Sequence, residues 1–293
     1  MTIKKGKVTS PQAAAPAGFK GTPVKIQGLG WIPDLPDNRD QWFAVPANVQ
    51  ANLGHNVDLR EQLPADVYNQ GRVGSCTANA VAGLLEFQMM KQGMEEVFTP
   101  SRLFIYYNTR LRDSLPVSHD TGSSIRNAFK SIATEGLCPE TDWPYDDTPT
   151  VGQNGPFPAG ARAGMQPSKS CYDNAEQHKN LAYRRVDQTL ADMKGCLSFG
   201  YPFAFGFTVY ESFYSEAVAR GADRGMVSMP RSGERALGGH AVLAVGFDDE
   251  DQRFIVRNSW GEEWGDAGYF YLPYSYMIDD DLATDFWMLS LIQ

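Results

Sequence analysis

Cysteine and histidine are the side chains best suited to covalent chemistry near neutral pH, and each occurs four times among the 293 residues. Cys76 stands out by its surroundings. It follows the loop Asn69-Gln70-Gly71-Arg72-Val73-Gly74-Ser75, whose two glycines allow a tight turn. After it, Ala80, Val81, Leu84, Leu85, Gln88 and Met89 recur at spacings of three and four, which predicts a helix with one apolar face. Cys76 then lies in the first turn, where free N–H groups and the helix dipole favour a thiolate. A buried, inert cysteine at a helix start is the competing reading.

A thiolate nucleophile calls for a base beside it. His178 lies in a polar run with Asp173, Asn174, Glu176 and Gln177, read as a solvated helix face, while His55 and His119 lie in loop-like stretches. His240 instead heads the strand-like run Gly238 to Phe247. The acidic turn Asp248-Asp249-Glu250-Asp251 follows, and Phe254 to Gly261 returns. An antiparallel hairpin centred at 249–250 opposes residue 240 with 258–259, which sets Asn258 beside His240 at one sheet edge. An amide there can hold one ring nitrogen while the other works, and Trp260 would keep water from that bond. The alternative is a structural histidine capping a strand.

These residues need elements to hold them. The first helix runs from Cys76 to near Gly93. A second opens at Thr99-Pro100, with Pro at the first position, and a third starts at Ser123 or Ser124 and ends at Gly136. Leu190, Met193 and Leu197 mark another. Strands are expected at 203–209, 240–247, 253–258 and 269–272, rich in Val, Phe and Tyr. The fold class is therefore α+β, with a helical first half carrying the nucleophile and a β-rich second half carrying the base. Residues 146–170, rich in Pro, Gly, Asp and Ala, read as the connection. Residues 1–55 hold many prolines and no period, yet carry Trp31, Trp42 and Phe43. They read as an extended segment lying on the folded body.

Composition narrows the function classes. Apolar residues make up 42% and charged ones 21%, ordinary for a globular protein. With 26 basic against 35 acidic side chains the net charge is −9, which argues against nucleic acid as a partner. No apolar run reaches membrane-spanning length and no hydrophobic signal core follows the basic start. Cytoplasmic location or non-classical export is expected, without a membrane partner. No Cys-x-x-Cys pair or closely spaced histidines occur, so neither metal nor cofactor is expected. Two of Cys138, Cys171 and Cys196 could form a disulfide, but the sequence does not pair them.

Taken together, Gln70-Gly71-x-x-Gly74-Ser75-Cys76, the Gly-x-His-Ala-Val strand, and Asn258-Ser259-Trp260-Gly261-x-x-Trp264-Gly265-x-x-Gly268-Tyr269 resemble the papain-like cysteine peptidases. The resemblance spans about Val57 to Tyr271, including Val57-Asp58-Leu59-Arg60, Glu135-Gly136-Leu137 and Trp143-Pro144-Tyr145. It implies a two-lobe fold with a helical left domain and a β-barrel-like right domain, the active site lying in the cleft between them. By this match Cys76 is nucleophile, His240 general base and then acid, and Asn258 orients the imidazole. Gln70 supplies an oxyanion-hole donor together with the backbone N–H of Cys76. Gly122 and Ser123 clamp an extended protein or peptide substrate. Ile125 and Ala241 line the pocket for the residue before the scissile one, and Gly239 and Trp260, near the histidine, also bind substrate.

The resemblance also suggests boundaries: 1–55 as a pro-like segment covering the cleft, 56–145 the helical domain, 146–170 the connection and 171–293 the β-rich domain. A monomeric enzyme made as a zymogen, inhibited by its own N-terminal segment, is the expected form. The alternatives are a transglutaminase-like acyl transferase or deamidase, and a papain-fold binding protein without turnover. Four positions depart from the family pattern: Thr77 where Trp is usual, Val73 where a disulfide-bonded cysteine is usual, Ser123 for the second clamp glycine, and Gly239 before the histidine. The missing cysteine suits a protein that needs no oxidising compartment.

Overall fold

The computed structural model describes residues 28–50, 52–152, 154–179 and 181–292. The expected pro-like segment is thus described from Gly28 onward, and residues 1–27 lie outside. In chain order the elements are α1 (Ala47–Gln50), β1 (Asn56–Asp58), α2 (Cys76–Gln92), α3 (Arg102–Arg112), α4 (Ile125–Glu135), α5 (Lys169–Ala175), β2 (Leu181–Arg185), α6 (Leu190–Ser198), β3 (Phe203–Tyr210), α7 (Glu216–Ala219), β4 (Ala236–Asp248), β5 (Arg253–Arg257), β6 (Tyr269–Pro273), α8 (Tyr274–Met277) and β7 (Ala283–Ile292).

α2 is the central element. Its apolar period suggested one buried face, but every residue from Cys76 to Leu85 is buried. A helix surrounded on all sides by protein needs no polar face, so Ala78, Ala82 and Gly83 keep it slim where a charged residue would be stranded. It ends at Gly93, whose φ of 62° lets the chain leave the helix. α3 starts two residues later than the proline suggested, because the Ser101 side chain accepts from Phe104 N–H and caps it. α4 follows Ser124 and stops at Gly136. α5 stops at Ala175, so His178 is not on a helix; its ring lies 5.4 Å from Phe98.

The strands form one antiparallel sheet in the order β2-β7-β3-β4-β5-β6, with β1 also paired to β4. β2 and β6 are its ends, so the wall expected to resemble a barrel is an open sheet. β4 is buried on both faces, which is why it reads as an unbroken apolar run. Ala241, Leu243 and Val245 join the core around α2. Val242, Ala244 and Phe247 join an aromatic core on the other side. The β4–β5 register pairs Leu243 with Arg257 and Asp248 with Arg253. A hairpin centred at 249–250 would have opposed residue 243 with 255–256. The shift comes from a wider turn, closed by Gln252 at φ 53°, and the extra residue at Val245 takes back one position of it.

Cys138 and Cys171 are joined, S–S 2.03 Å, fastening α5 to the chain beyond α4. Cys76 and Cys196 are free and buried. Loss of the cysteine at position 73 therefore does not mean a chain without disulfides. Among the described residues no helix is long and apolar enough to cross a membrane.

Candidate active site

Cys76 is the first residue of α2, His240 lies in β4 and Asn258 just beyond β5. Despite the shifted register, His240 Nε2 lies 2.8 Å from Asn258 Oδ1, a diagonal pair. That oxygen also accepts from Ser259 N–H at 2.8 Å. Because Oδ1 only accepts, the ring proton sits on Nε2, and the buried Nδ1 keeps a lone pair with no hydrogen-bond partner among the described residues. Trp260 covers the pair, its ring 4.9 Å from the imidazole, and Phe207 meets the ring edge-on at 5.8 Å.

Gln70 is fully buried and held on three sides. Its N–H donates to Ser259 O at 2.9 Å, its Oε1 accepts from Ser259 Oγ at 2.7 Å, and its Nε2 donates to Val73 O at 2.9 Å. The second Nε2 hydrogen points into the cleft and meets Gly28 O at 2.7 Å. The anchoring role of Ser259 escaped the sequence reading, although it sits inside the Asn-Ser-Trp-Gly motif.

The cleft is filled by the chain itself. Ser123 N–H donates to Gly30 O at 2.7 Å, Ile32 N–H to Ser123 O at 3.1 Å, and Trp31 N–H to Gly239 O at 3.1 Å. Thr77, standing where the family carries Trp, donates to Ser123 O at 2.9 Å and ties helix to clamp. The Trp31 indole lies against Gly239 and Gly206, where a Cβ would come within 2.6 and 1.9 Å of it. Gly206 carries no sequence signal of this role. Ala241, opposite Gly206 in the sheet, is fully buried. Ile125 is buried at the start of α4, two residues past Ser123.

Burial governs the electrostatics of this closed state. It pushes the Cys76 thiol up to about 11, against the opposing pull of N–H groups on Ala241, Gly30 and Thr77. It pulls the His240 imidazole down to about 4, against its bond to Asn258. The helix start favours a thiolate, as the sequence suggested. Under the segment, however, desolvation outweighs these pulls at both groups and favours the thiol and the uncharged imidazole.

Comparison with known proteins decides the family. The model of the papain family cysteine proteases matches residues 53–280. The chain belongs to the papain family. Among solved structures it is similar to xylellain, a cysteine protease from Xylella fastidiosa: 41% identity, TM-score 0.84, covering 94% of this chain and 100% of that one. A peptidase C1-like protein of Acanthamoeba polyphaga mimivirus is 38% identical over 287 residues, 90% of this chain and 87% of the relative. Procathepsin L of Rattus norvegicus is 28% identical over 242 residues, 78% of this chain and 62% of the relative. The chain is accordingly a papain-family cysteine peptidase, with the family's α+β fold.

Proposed function

We propose that this peptidase is an endopeptidase acting through a thioester acyl-enzyme, and that its own N-terminal segment holds it inactive. The observation that supports this most is the bond from Gln70 Nε2 to Gly28 O. A backbone carbonyl of the chain occupies the spot where a scissile carbonyl would turn its oxygen. From Gly28 the segment runs onward to Ser123 and Gly239. A substrate would place over those residues the part of its chain that precedes the scissile carbonyl. The segment lies there in the opposite direction, so it fills the cleft without offering its own bond for cleavage.

With the segment out, water reaches Cys76 and His240, and the proton passes from sulfur to Nδ1. The thiolate adds to the carbonyl carbon and forms the C–S bond. The oxygen takes the charge and is held by Gln70 Nε2–H and the Cys76 N–H. Collapse breaks the C–N bond as Nδ1–H protonates the leaving amine. A water then gives its proton to Nδ1 and attacks the thioester, and the acid departs as the thiolate returns. Asn258 holds Nε2–H throughout, keeping the ring oriented. Gly122 and Ser123 pair with the extended substrate, and the pocket cradling Trp31 receives a side chain near the cut.

On this reading residues 1–55 are the pro-like segment, 56–145 the nucleophile-bearing lobe, 146–170 the connection and 171–293 the lobe of His240 and Asn258. Cleft and plug belong to one chain, so inhibition needs no second copy. The test compares peptide hydrolysis by the full chain, by a chain beginning at Pro33, and by one beginning at Val57. Higher activity on truncation is expected, and equal activity of all three would overturn the zymogen reading. Loss of hydrolysis in Cys76→Ala, and a larger loss in His240→Ala than in Asn258→Ala, are the accompanying expectations for the chemistry. The reverse ranking would refute the assigned roles.

A further inference from the structure

The segment passes through a slot one backbone wide. A Cβ on Gly30 would fall 1.8 Å from Gly74 O, and one on Gly122 would fall 2.1 Å from Gly30 O. One wall is therefore the loop that leads into Cys76, and the other the clamp loop before Ser123. Val73, fully buried, offers no covalent tie for the first wall.

What joins the walls is a buried carboxylate. Gly74 N–H faces both oxygens of Asp120, at 3.0 and 2.9 Å. Tyr106 O–H donates to Asp120 Oδ1 at 2.6 Å, and Gly122 N–H donates to the Tyr106 hydroxyl at 3.0 Å. The path from one wall to the other runs Gly74, Asp120, Tyr106, Gly122 without a gap. Asp120 is 7% exposed and Tyr106 fully buried. The Arg110 guanidinium lies 3.8 Å over the Tyr106 ring and donates to Val117 O and His119 O at 2.8 and 2.7 Å, which steadies the base of the bridge. Bonds to an ionised acceptor are the stronger kind. Burial raises the Asp120 carboxyl above its ordinary range, against the pull of Tyr106 and Gly74.

We infer that Asp120, acting through Tyr106, is a positioning residue that sets the distance between the oxyanion-hole loop and the substrate clamp. The inference rests on the roles given above to Cys76 and Gln70. Its physical basis is short. The N–H of Cys76 belongs to the wall that Asp120 holds at Gly74, and an oxyanion donor works only when it meets the developing charge at hydrogen-bond distance. A misplacement of about 1 Å can cost roughly 10²-fold in rate.

The test separates this role from simple stability. The full chain carrying Gly30→Ala serves as parent, or the unaltered chain if that is itself active, with competent sites counted by stoichiometric alkylation. In Asp120→Ala, kcat per competent site should fall about 10- to 100-fold. The rate of Cys76 with iodoacetamide, a displacement that builds no oxyanion, should hold or rise, because removing a negative charge does not disfavour the thiolate. Tyr106→Phe should act more on KM than on kcat, since it frees Gly122 N–H. The double variant should lose less than the sum of the two. If Asp120→Ala fails to fold, Asp120→Asn, which keeps shape and one acceptor, should show a smaller split of the same sign. An unchanged kcat per site, or alkylation falling in step with kcat, would overturn the inference. A parent that alkylates at Cys76 yet hydrolyses no peptide would overturn the peptidase mechanism, and this inference with it.

Discussion

Residues 28–32 and residues 34–43 are one stretch of chain held by opposite means. The first part is gripped through its backbone: Gly28 O, Gly30 O, Trp31 N–H and Ile32 N–H carry the bonds, and two glycines let it lie flat in the slot. The second is gripped through side chains. Asp40 meets Arg126 at 2.6 Å and Arg185 at 3.3 Å, Asp37 meets Lys130 at 3.2 Å, and Asp34 accepts from Trp287 Nε1 at 2.8 Å. Gln41 and Phe43 also bond the backbone of Arg185, extending the sheet at β2, and Phe43 is buried. Backbone contacts can be copied by any extended peptide, so on the proposed reading the first part would compete with substrate on equal terms. The buried ion pairs can be copied by few. On the proposed reading the molecule carries a replaceable plug on a clasp built to stay, with Pro33 between them.

Three expected outcomes would break or sharpen that contrast. The largest concerns Arg126, which donates to Asp40 Oδ2 and to Leu35 O and lends its N–H to Asp34. Removing one partner of a buried ion pair costs about 3–5 kcal/mol. Arg126→Ala should therefore speed hydrogen exchange at the Phe43 and Arg185 amides, which bond across the clasp. Unchanged exchange there would mean that the ion pairs do not hold it.

Gly30→Ala in the full chain comes next. Overpacking costs roughly 1–3 kcal/mol, so plugging should weaken by about 5- to 150-fold and hydrolysis rise accordingly. The clasp amides should keep their protection. Loss of protection at both parts together would make the two regions a single unit.

The third outcome concerns pH. Asp34, Asp40 and Asp285 share two guanidiniums, Arg126 and Arg185, with Arg39 beside Asp40 and Tyr183 near the same cluster. Burial, and then the charge of Asp285, push the Asp34 carboxyl up to about 7, and burial likewise raises Asp285. Undocked, Asp34 returns to its ordinary value near 3.8. The docked state thus holds the extra proton, so docking is strongest in acid and weakens as pH rises through about 7. Segment release, followed by hydrogen exchange at Ile32 and Phe43, should increase between pH 5 and 8 in the parent and flatten in Asp34→Asn. A release that increases in acid would contradict this sign.

Much of the site was legible because its signals are local. The Cys76 helix start, the His240 strand and Asn258 lie in short patterned runs, although β4 begins four residues before His240 and not at it, and the caps at Ser124 and Gly136 sit where residue type suggested. The β4–β5 register was misjudged because the wider turn, closed by a positive φ at Gln252, leaves no pattern in residue type, and the bulge at Val245 restores only part of it. β2 and β7 were missed for another reason: each finds its partner about a hundred residues away, and Asp285 breaks the apolar run of β7 with φ 59°. Gln70 was found only through the family resemblance. Asp120 and Gly206 were not found at all, since a lone aspartate in a loop and a glycine in a strand acquire meaning only from what packs against them.

The central claim is that the segment keeps Cys76 and His240 as a neutral, desolvated pair and that its departure lets them ionise together. The pH profile of Cys76 alkylation by iodoacetamide tests this most directly, read by mass spectrometry with Cys76→Ala as control for Cys196. In the full chain the rate should stay low and climb only toward the thiol value of about 11. With the plug displaced by Gly30→Ala, a plateau should extend down into the acid range, the mark of a thiolate held by an imidazolium. Profiles that coincide would contradict the account.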